Sequence, residues 1–306
     1  MKAMVCTKYG GPDVLELREI AKPVPKAKEL LVKIHAATVT SGDIRVRAFQ
    51  SPPLLWLPMR AVLGFTKPRN PILGVELAGE VEAVGPAVKR FKKGDRVFAL
   101  TRMRLGCYAE YTCLSEEDLV AVQPAHATHE EAAAILFGGT TALHFFRKGQ
   151  LRSGQKVLIY GASGAVGTSA VQLARHFGAE VTGVCSAANA ELVKSLGAER
   201  WIDYTREDFA ERPERYEIIF DAVGKLPKSK CRRALAPDGR YLTVDGQGIA
   251  KVLPEDIRLL KELMETGRIR PVIDRRYPLE EIPEAHRYVE TGRKRGNVVV
   301  TVVPPG

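Results

Sequence analysis

Residues 161 to 167 read Gly161-Ala162-Ser163-Gly164-Ala165-Val166-Gly167. The apolar run Val157-Leu158-Ile159-Tyr160 precedes them, and Val166, Ala170, Leu173, Ala174 and Phe177 then recur along one helical face. Strand, glycine turn and helix in that order gather backbone N–H groups and the positive helix end at one point. A pyrophosphate fits there, and small residues let it approach the backbone. The spacing and its flanks predict a dinucleotide site carried by Ser163, Gly164, Ala165 and Val166. A carboxylate at the end of the next strand would bond the ribose 2′-hydroxyl of NAD. Here Thr182-Gly183-Val184-Cys185-Ser186 ends without one, and Glu180 and Glu191 lie at the far end of the strand and inside the following helix. A site free of that repulsion accepts a 2′-phosphate, with Ser186 and Asn189 as donors, and this predicts NADPH. Ser186 could instead cap the next helix, and the two roles are compatible. Tyr204, after the third strand, either packs beside the adenosine or is a surface tyrosine.

The elements that must position this loop alternate from residue 156 onward. Strands are predicted over 156–160, 180–185, 201–203, 217–221 and 240–244, with helices ending at Gly178 and Gly197. Repeated β-α-β units imply an α/β fold with a doubly wound parallel sheet. Before residue 120 the pattern is short strands and turns: 30–35, 80–84, 96–100 and 108–113. Thr128 with Glu131 three residues on forms a capping box that starts a helix through Ala132–Ala134. The stretch 51–58 holds three prolines around Leu54, Leu55 and Trp56 and is read as an apolar loop. Such a loop either plugs a core or lines a pocket. The last strand is predicted over 297–302.

A chain of 306 residues is comfortable for two domains. With 45% hydrophobic and 27% charged residues it is neither disordered nor fibrous. No apolar stretch has the length of a membrane span, and no charged segment followed by an apolar core opens the chain, so no secretory signal is expected. Five dispersed cysteines without a Cys-x-x-Cys pair read as reduced thiols, which predicts a cytoplasmic protein. The net charge of +10 is spread along the chain and no basic stretch is interleaved with aromatics. The surface is therefore read as solvated and attractive to small anions, with neither nucleic acid nor membrane as a partner.

Further motifs carry a family resemblance: Met1-Lys2-Ala3, Gly74-Val75-Glu76-Leu77-Ala78-Gly79-Glu80-Val81, Gly94-Asp95-Arg96-Val97, Gly139-Thr140-Thr141-Ala142, Ser195-Leu196-Gly197-Ala198 and Phe220-Asp221-Ala222-Val223-Gly224. Together with the glycine loop they make nearly the whole chain resemble the medium-chain dehydrogenase/reductase superfamily, in its zinc-independent quinone oxidoreductase-like branch. The resemblance implies a GroES-like β-barrel catalytic domain over 1–122, a Rossmann NADP-binding domain over 123–268, and a return to the barrel over 269–306. Cofactor would lie between them. By family position Thr141 contacts the nicotinamide; Val223, Gly224, Val244 and Gly246 line the cofactor groove; and Asn297 closes the cleft. Thr40 and Arg45 are the substrate-side candidates for polarising an oxygen, with a helix-cap threonine and a solvated arginine as the alternatives. Asp43 is read as a helix cap.

Zinc-dependent relatives carry Cys where this chain has Thr40 and His where it has Val75, and the span of their structural zinc lobe holds only Cys107. His126 and His129 lack cysteine partners, and no metal is expected. Without a Lewis acid the fitting acceptors are quinones and α,β-unsaturated carbonyls, whose conjugation spreads the incoming charge. The implied activity is NADPH-dependent hydride transfer to such a small molecule. A zinc-free NADP-linked ketone or aldehyde reductase is the enzymatic alternative, and a non-catalytic NADPH sensor or RNA-binding protein the alternative of another class. Between 244 and 254 the chain is short of the family pattern by roughly 25 to 30 residues, too few remaining for a further helix and strand. That strand pairs across the homodimer edge in relatives, so a homodimer here would lack its usual edge.

Overall fold

The structure, a computed structural model, describes residues 1–51 and 56–303. The chain divides into two compact units, Met1–Leu136 with the chain from Ile273 onward, and Phe137–Val272.

The first unit is built around the long strand Glu29–Val39, which pairs antiparallel with Glu76–Val84, Tyr111–Ser115 and Asn297–Thr301. Glu76–Val84 continues to Arg96–Leu100 and then Leu119–Val122, while Ile273–Pro278 runs parallel to Asn297–Thr301 at the other end. Leu30, Ile34, Leu77, Phe98, Leu114 and Val298–Val300 are fully buried and form its interior. The final strand is thus stitched by its backbone to residues some 260 positions earlier, Val298 opposite Val39. The strand expected over 108–113 sits later, at Tyr111–Ser115, because Tyr108 and Ala109 face the strand Lys2–Cys6, through Met4 N–H to Tyr108 O and the Ala3–Ala109 bridge.

The apolar loop expected over 51–58 is corrected in part. Trp56–Leu63 is a helix, and Pro58 is tolerated because the first helical turn needs no N–H donors. Pro52, Pro53, Leu54 and Leu55 lie outside the described residues. The capping box at Thr128 forms as the sequence dictates. Glu131 N–H donates to Thr128 Oγ1 and Thr128 N–H to Glu131 Oε2, starting the helix His129–Ala134.

The second unit carries a five-stranded, wholly parallel sheet in the order Arg200–Asp203, Glu180–Cys185, Lys156–Tyr160, Tyr216–Asp221, Leu235–Thr243. This is the doubly wound order, reversing direction beside the first strand of the unit. The strands are near-continuous apolar runs because helices cover both faces. Leu158, Val184, Ile202, Phe209, Ile219 and Cys231 form one buried cluster. Leu235–Thr243 is the end strand of this sheet among the described residues, consistent with the short 244–254 connection. Pro237 is accommodated on it because an edge strand can spare a donor. No described helix is long and apolar enough to cross a membrane, and the five cysteines are free thiols.

Candidate functional site

In the second unit the site is assembled from the carboxyl ends of the parallel strands. The strand Lys156–Tyr160 ends at Gly161, whose φ of +77° only glycine adopts without strain. Its N–H and that of Ala162 donate to Val184 O at 3.0 and 3.1 Å, tying the turn to the next strand. Gly164 is the N-cap of the helix Ala165–His176. A Cβ at Gly167 would lie 2.1 Å from Gly161 O and 2.8 Å from Ala162 backbone, so the helix can rest on the turn only because that position is glycine. The N–H groups of Ala165, Val166 and Gly167 open the helix, where geometry provides no intrahelical acceptors. They form an anion cradle a larger residue would fill.

Three neighbouring loops complete it. Asn189 Nδ2 donates to both Ser163 Oγ and Ser186 Oγ at 3.3 Å, so three residues from two loops form one polar cluster. Ser186 occupies the N-cap of the turn Ala187–Asn189 without a side-chain cap bond, leaving its hydroxyl to that cluster. Val223 packs directly on the glycine turn; a Cβ at Gly161 would strike its Cγ2 at 2.3 Å. Gly224 lies against Asp245, 2.6 Å from its would-be Cβ to Asp245 Cβ, which joins the 222–224 loop to the Val244–Gly246 loop. Thr141 is buried on the helix Leu136–Gly149, one turn beyond Gly138, which approaches Ala165 O so closely that a Cβ would lie 2.4 Å from it. Tyr204 is 54% exposed with its ring 6.1 Å from that of Tyr160, at the open side of the same strand ends.

Asp221 was not singled out from sequence, yet it holds this arrangement together. Its buried carboxylate accepts from the N–H groups of Val223 (3.0 Å), Gly224 (2.9 Å) and Leu226 (2.8 Å). An acid ending an apolar strand just before Ala-Val-Gly was the available signal. Asp203, ending the third strand, plays a similar local part. The Thr205 hydroxyl and N–H, and the Ala187 N–H, hold its carboxyl below the usual range.

The remaining candidates, Thr40, Arg45 and Asn297, belong to the first unit. Thr40 is the N-cap of the helix Ser41–Arg47 in a full capping box with Asp43. Its Oγ1 donates to Asp43 Oδ2 at 2.6 Å and its N–H donates to the same oxygen at 2.8 Å. Asp43 Oδ1 accepts from Gly74 N–H at 3.1 Å, so this carboxylate ties Thr40 to the Gly74-Val75-Glu76 strand entry. Burial pushes the Asp43 carboxyl up to about 6, against the hydrogen bonds from Thr40, Gly74 and Tyr108. Arg45 is exposed on that helix, whereas Asn297 is buried at the start of the last strand.

A catalytic zinc does not fit this donor set. The Thr40 hydroxyl is committed to the cap, Val75 presents hydrocarbon, and burial drives the Cys107 thiol far above its ordinary range. His129 stacks on His35 at 4.4 Å, and burial, then the neighbouring His35 and Arg96, lowers it to about 4. Among the described residues no three His, Cys, Asp or Glu side chains are grouped to hold a metal.

Residues 26–124 match the alcohol dehydrogenase GroES-like domain, and residues 196–256 and 249–300 match a family described as zinc-binding dehydrogenase. The first match identifies the first unit's β-structure with the barrel expected from the sequence. The chain is 34% identical to a 2-methylene-furan-3-one reductase of Solanum lycopersicum, covering 99% of this chain and 80% of that protein. It is 32% identical, with the same coverage, to an NADPH-dependent alkenal/one oxidoreductase of Arabidopsis thaliana. Among solved structures, the quinone oxidoreductase from Coxiella burnetii superposes with a TM-score of 0.85 at 26% identity, covering 99% of both chains. Glycine cradle, strand order and full-length likeness agree: the chain belongs to the medium-chain dehydrogenase/reductase superfamily, in its quinone oxidoreductase-like branch.

Proposed function

We propose that this protein is an NADPH-dependent reductase of quinones and α,β-unsaturated carbonyls. The observation that carries the reading is the contiguous cradle of Gly161–Gly167, Ser163–Asn189–Ser186 and the 222–224 and 244–246 loops. It stands in a chain whose Thr40 and Val75 cannot serve as the zinc ligands of alcohol-oxidising relatives. NADPH, when bound, supplies a hydride from C4 of its nicotinamide. The chain's own work is binding and orientation. The N–H groups opening the helix Ala165–His176 take the pyrophosphate, and the hydroxyls of Ser163 and Ser186 with the Asn189 amide take the 2′-phosphate. Tyr204 offers a face to the adenine, and Val223, Gly224, Val244, Gly246 and Thr141 line the path toward the nicotinamide. Thr40, Arg45 and Asn297, all of the first unit, are the candidate substrate-side residues. Cap-bound Thr40 can present only its second lone pair to a substrate, so it orients a donor more readily than it polarises a carbonyl.

A conjugated acceptor needs little more than this, because the negative charge arriving with hydride moves to an oxygen remote from the attacked carbon. The same reading takes the free, largely buried thiols as those of a cytoplasmic protein. It leaves any homodimer to form without a sixth strand beside Leu235–Thr243. The test is NADPH oxidation with a quinone, an enone and a saturated ketone, with and without chelator. Turnover of the first two, indifferent to chelator, is expected. Turnover of the saturated ketone alone, or activity restored by a divalent ion, overturns the reading.

A further inference from the structure

The helix Trp56–Leu63 in the first unit turns apolar side chains to both sides. Leu63 is buried, but Leu57 is 63% exposed, Val62 62% and Trp56 47%; just beyond the helix, Phe65 is 60% exposed. Several large apolar side chains exposed together on a short helix mark a face that a partner covers. A second apolar tip adjoins it. Asn70 Nδ2 donates to Arg104 O at 2.8 Å, placing the Arg102–Arg104 turn, with exposed Met103, beside the segment that follows the helix. Arg69 secures that segment from the other side, its N–H on Leu63 O and its guanidinium on Ala61 O at 2.7 Å.

The charges of this stretch of sequence have one sign. From residue 44 to 75 there is no Asp or Glu; Arg60, Lys67 and Arg69 lie on the helix and the segment after it, whereas Arg47 is buried and paired with Glu290 and Arg45 belongs to the preceding helix. The Arg60 guanidinium lies over Phe49 (3.8 Å), Tyr9 (4.5 Å) and Trp56 (5.0 Å), which stiffens the base of the patch. Beside Met103, Arg104 is paired with Asp118 and Glu29.

We propose that this face docks on the surface of a membrane rich in anionic lipids, seating Trp56, Leu57, Val62 and Phe65 at the headgroup–acyl boundary. Exposed apolar and aromatic residues in a stretch whose charged side chains are Lys and Arg alone match an anionic headgroup layer. A second copy of this chain would bring two cationic rims together, and the cores of protein interfaces are depleted in lysine. The attachment is peripheral, and no described helix is long and apolar enough to cross a membrane. It departs from the sequence expectation of no membrane partner, which rested on the lack of a spanning stretch and of a concentrated basic cluster. The surface, carried by Trp56–Leu63 and the residues just after it, uses none of the residues assigned to the proposed activity, although it would bring the protein to the phase where apolar quinones and enones collect.

The test is flotation of the full chain, without cofactor or substrate, with phosphatidylcholine vesicles with and without phosphatidylserine. The Trp201→Phe variant leaves Trp56 as the sole tryptophan for fluorescence. Binding to the anionic vesicles, weakened by salt and accompanied by a blue shift of Trp56, is expected. Leu57→Ser with Val62→Ser should weaken it about tenfold or more, and Lys67→Glu roughly fivefold or more. Unchanged unfolding temperatures certify that these surface variants fold. Absence of vesicle binding, or binding indifferent to the Leu57/Val62 pair, overturns the proposal. So does a dimer that the pair converts to monomer without vesicle attachment, which would make a second copy the occupant. Loss of NADPH oxidation by the wild type would count against the proposed activity and leave the vesicle result standing.

Discussion

Replacing Asp221 by Asn tests whether one buried carboxylate organises the cofactor end of the second unit. Both oxygens of Asp221 face donors only. Oδ1 takes the N–H groups of Val223 and Gly224, and Oδ2 takes that of Leu226 with the Tyr241 and Thr243 hydroxyls at 3.3 and 3.4 Å. An amide keeps the outline but substitutes an NH2 for one acceptor. Either Leu226 or the Val223–Gly224 pair then meets a donor instead of an acceptor. A hydrogen bond to a charged group contributes about 1.5–3 kcal/mol and an orphaned buried N–H costs about 1–3 kcal/mol, so Asp221→Asn should destabilise by about 2–4 kcal/mol. The freed loop is the one that packs on Gly161 through Val223 and touches Asp245 through Gly224, so cofactor binding should share the loss. If half of it appears there, the NADPH Kd rises roughly 5- to 30-fold. Urea unfolding followed by circular dichroism and NADPH titration by fluorescence read the two effects separately. Unfolding free energy within about 0.5 kcal/mol of wild type, together with an unchanged Kd, would refute the idea that Asp221 builds the loop.

Other outcomes follow from particular side chains. Ser186→Asp restores an acid where the 2′-phosphate is expected, 3.3 Å from the Asn189 amide in the native contact. The ratio of kcat/KM for NADPH over NADH should fall by about tenfold or more, and an unchanged ratio would move the 2′-phosphate site elsewhere. His286 is fully buried, neither ring nitrogen is bonded among the described residues, and burial, with Arg47 beside it, lowers it to about 3. The unfolded chain takes up this proton below about pH 6.5 while the folded chain stays neutral, so stability falls as pH drops through that window, by up to about 1.4 kcal/mol per unit. His286→Phe should remove one proton's worth of that slope in urea titrations; parallel curves for variant and wild type would contradict it.

Much of the candidate site was legible along the chain because its parts are local. The strand, glycine turn and helix around Gly161–Gly167 fall within about twenty residues, and the hydrophobic period that marks them is the one that buries them. The Thr128–Glu131 box is local in the same way, as is the Thr40–Asp43 box, of which the sequence offered both cap readings. The Pro-rich 51–58 stretch misled because proline forbids a helix interior but not a first turn, and periodicity says nothing about where a helix starts among prolines.

What the sequence by itself determined was the pair of architectures, the strand order's raw material and the residue types at the glycine turn, since side-chain period and backbone preference act over a few residues. Only the tertiary structure decided that Ser163, Ser186 and Asn189 share one cluster and that Val223 rests on Gly161. It also decided that Asp221 spends both oxygens on the loop beyond it, and that Leu57, Val62 and Phe65 remain in solvent. Those contacts join positions tens of residues apart. They exist because parallel strands deliver their carboxyl ends to one edge of a sheet, and burial is a property of the packed chain and of no residue alone.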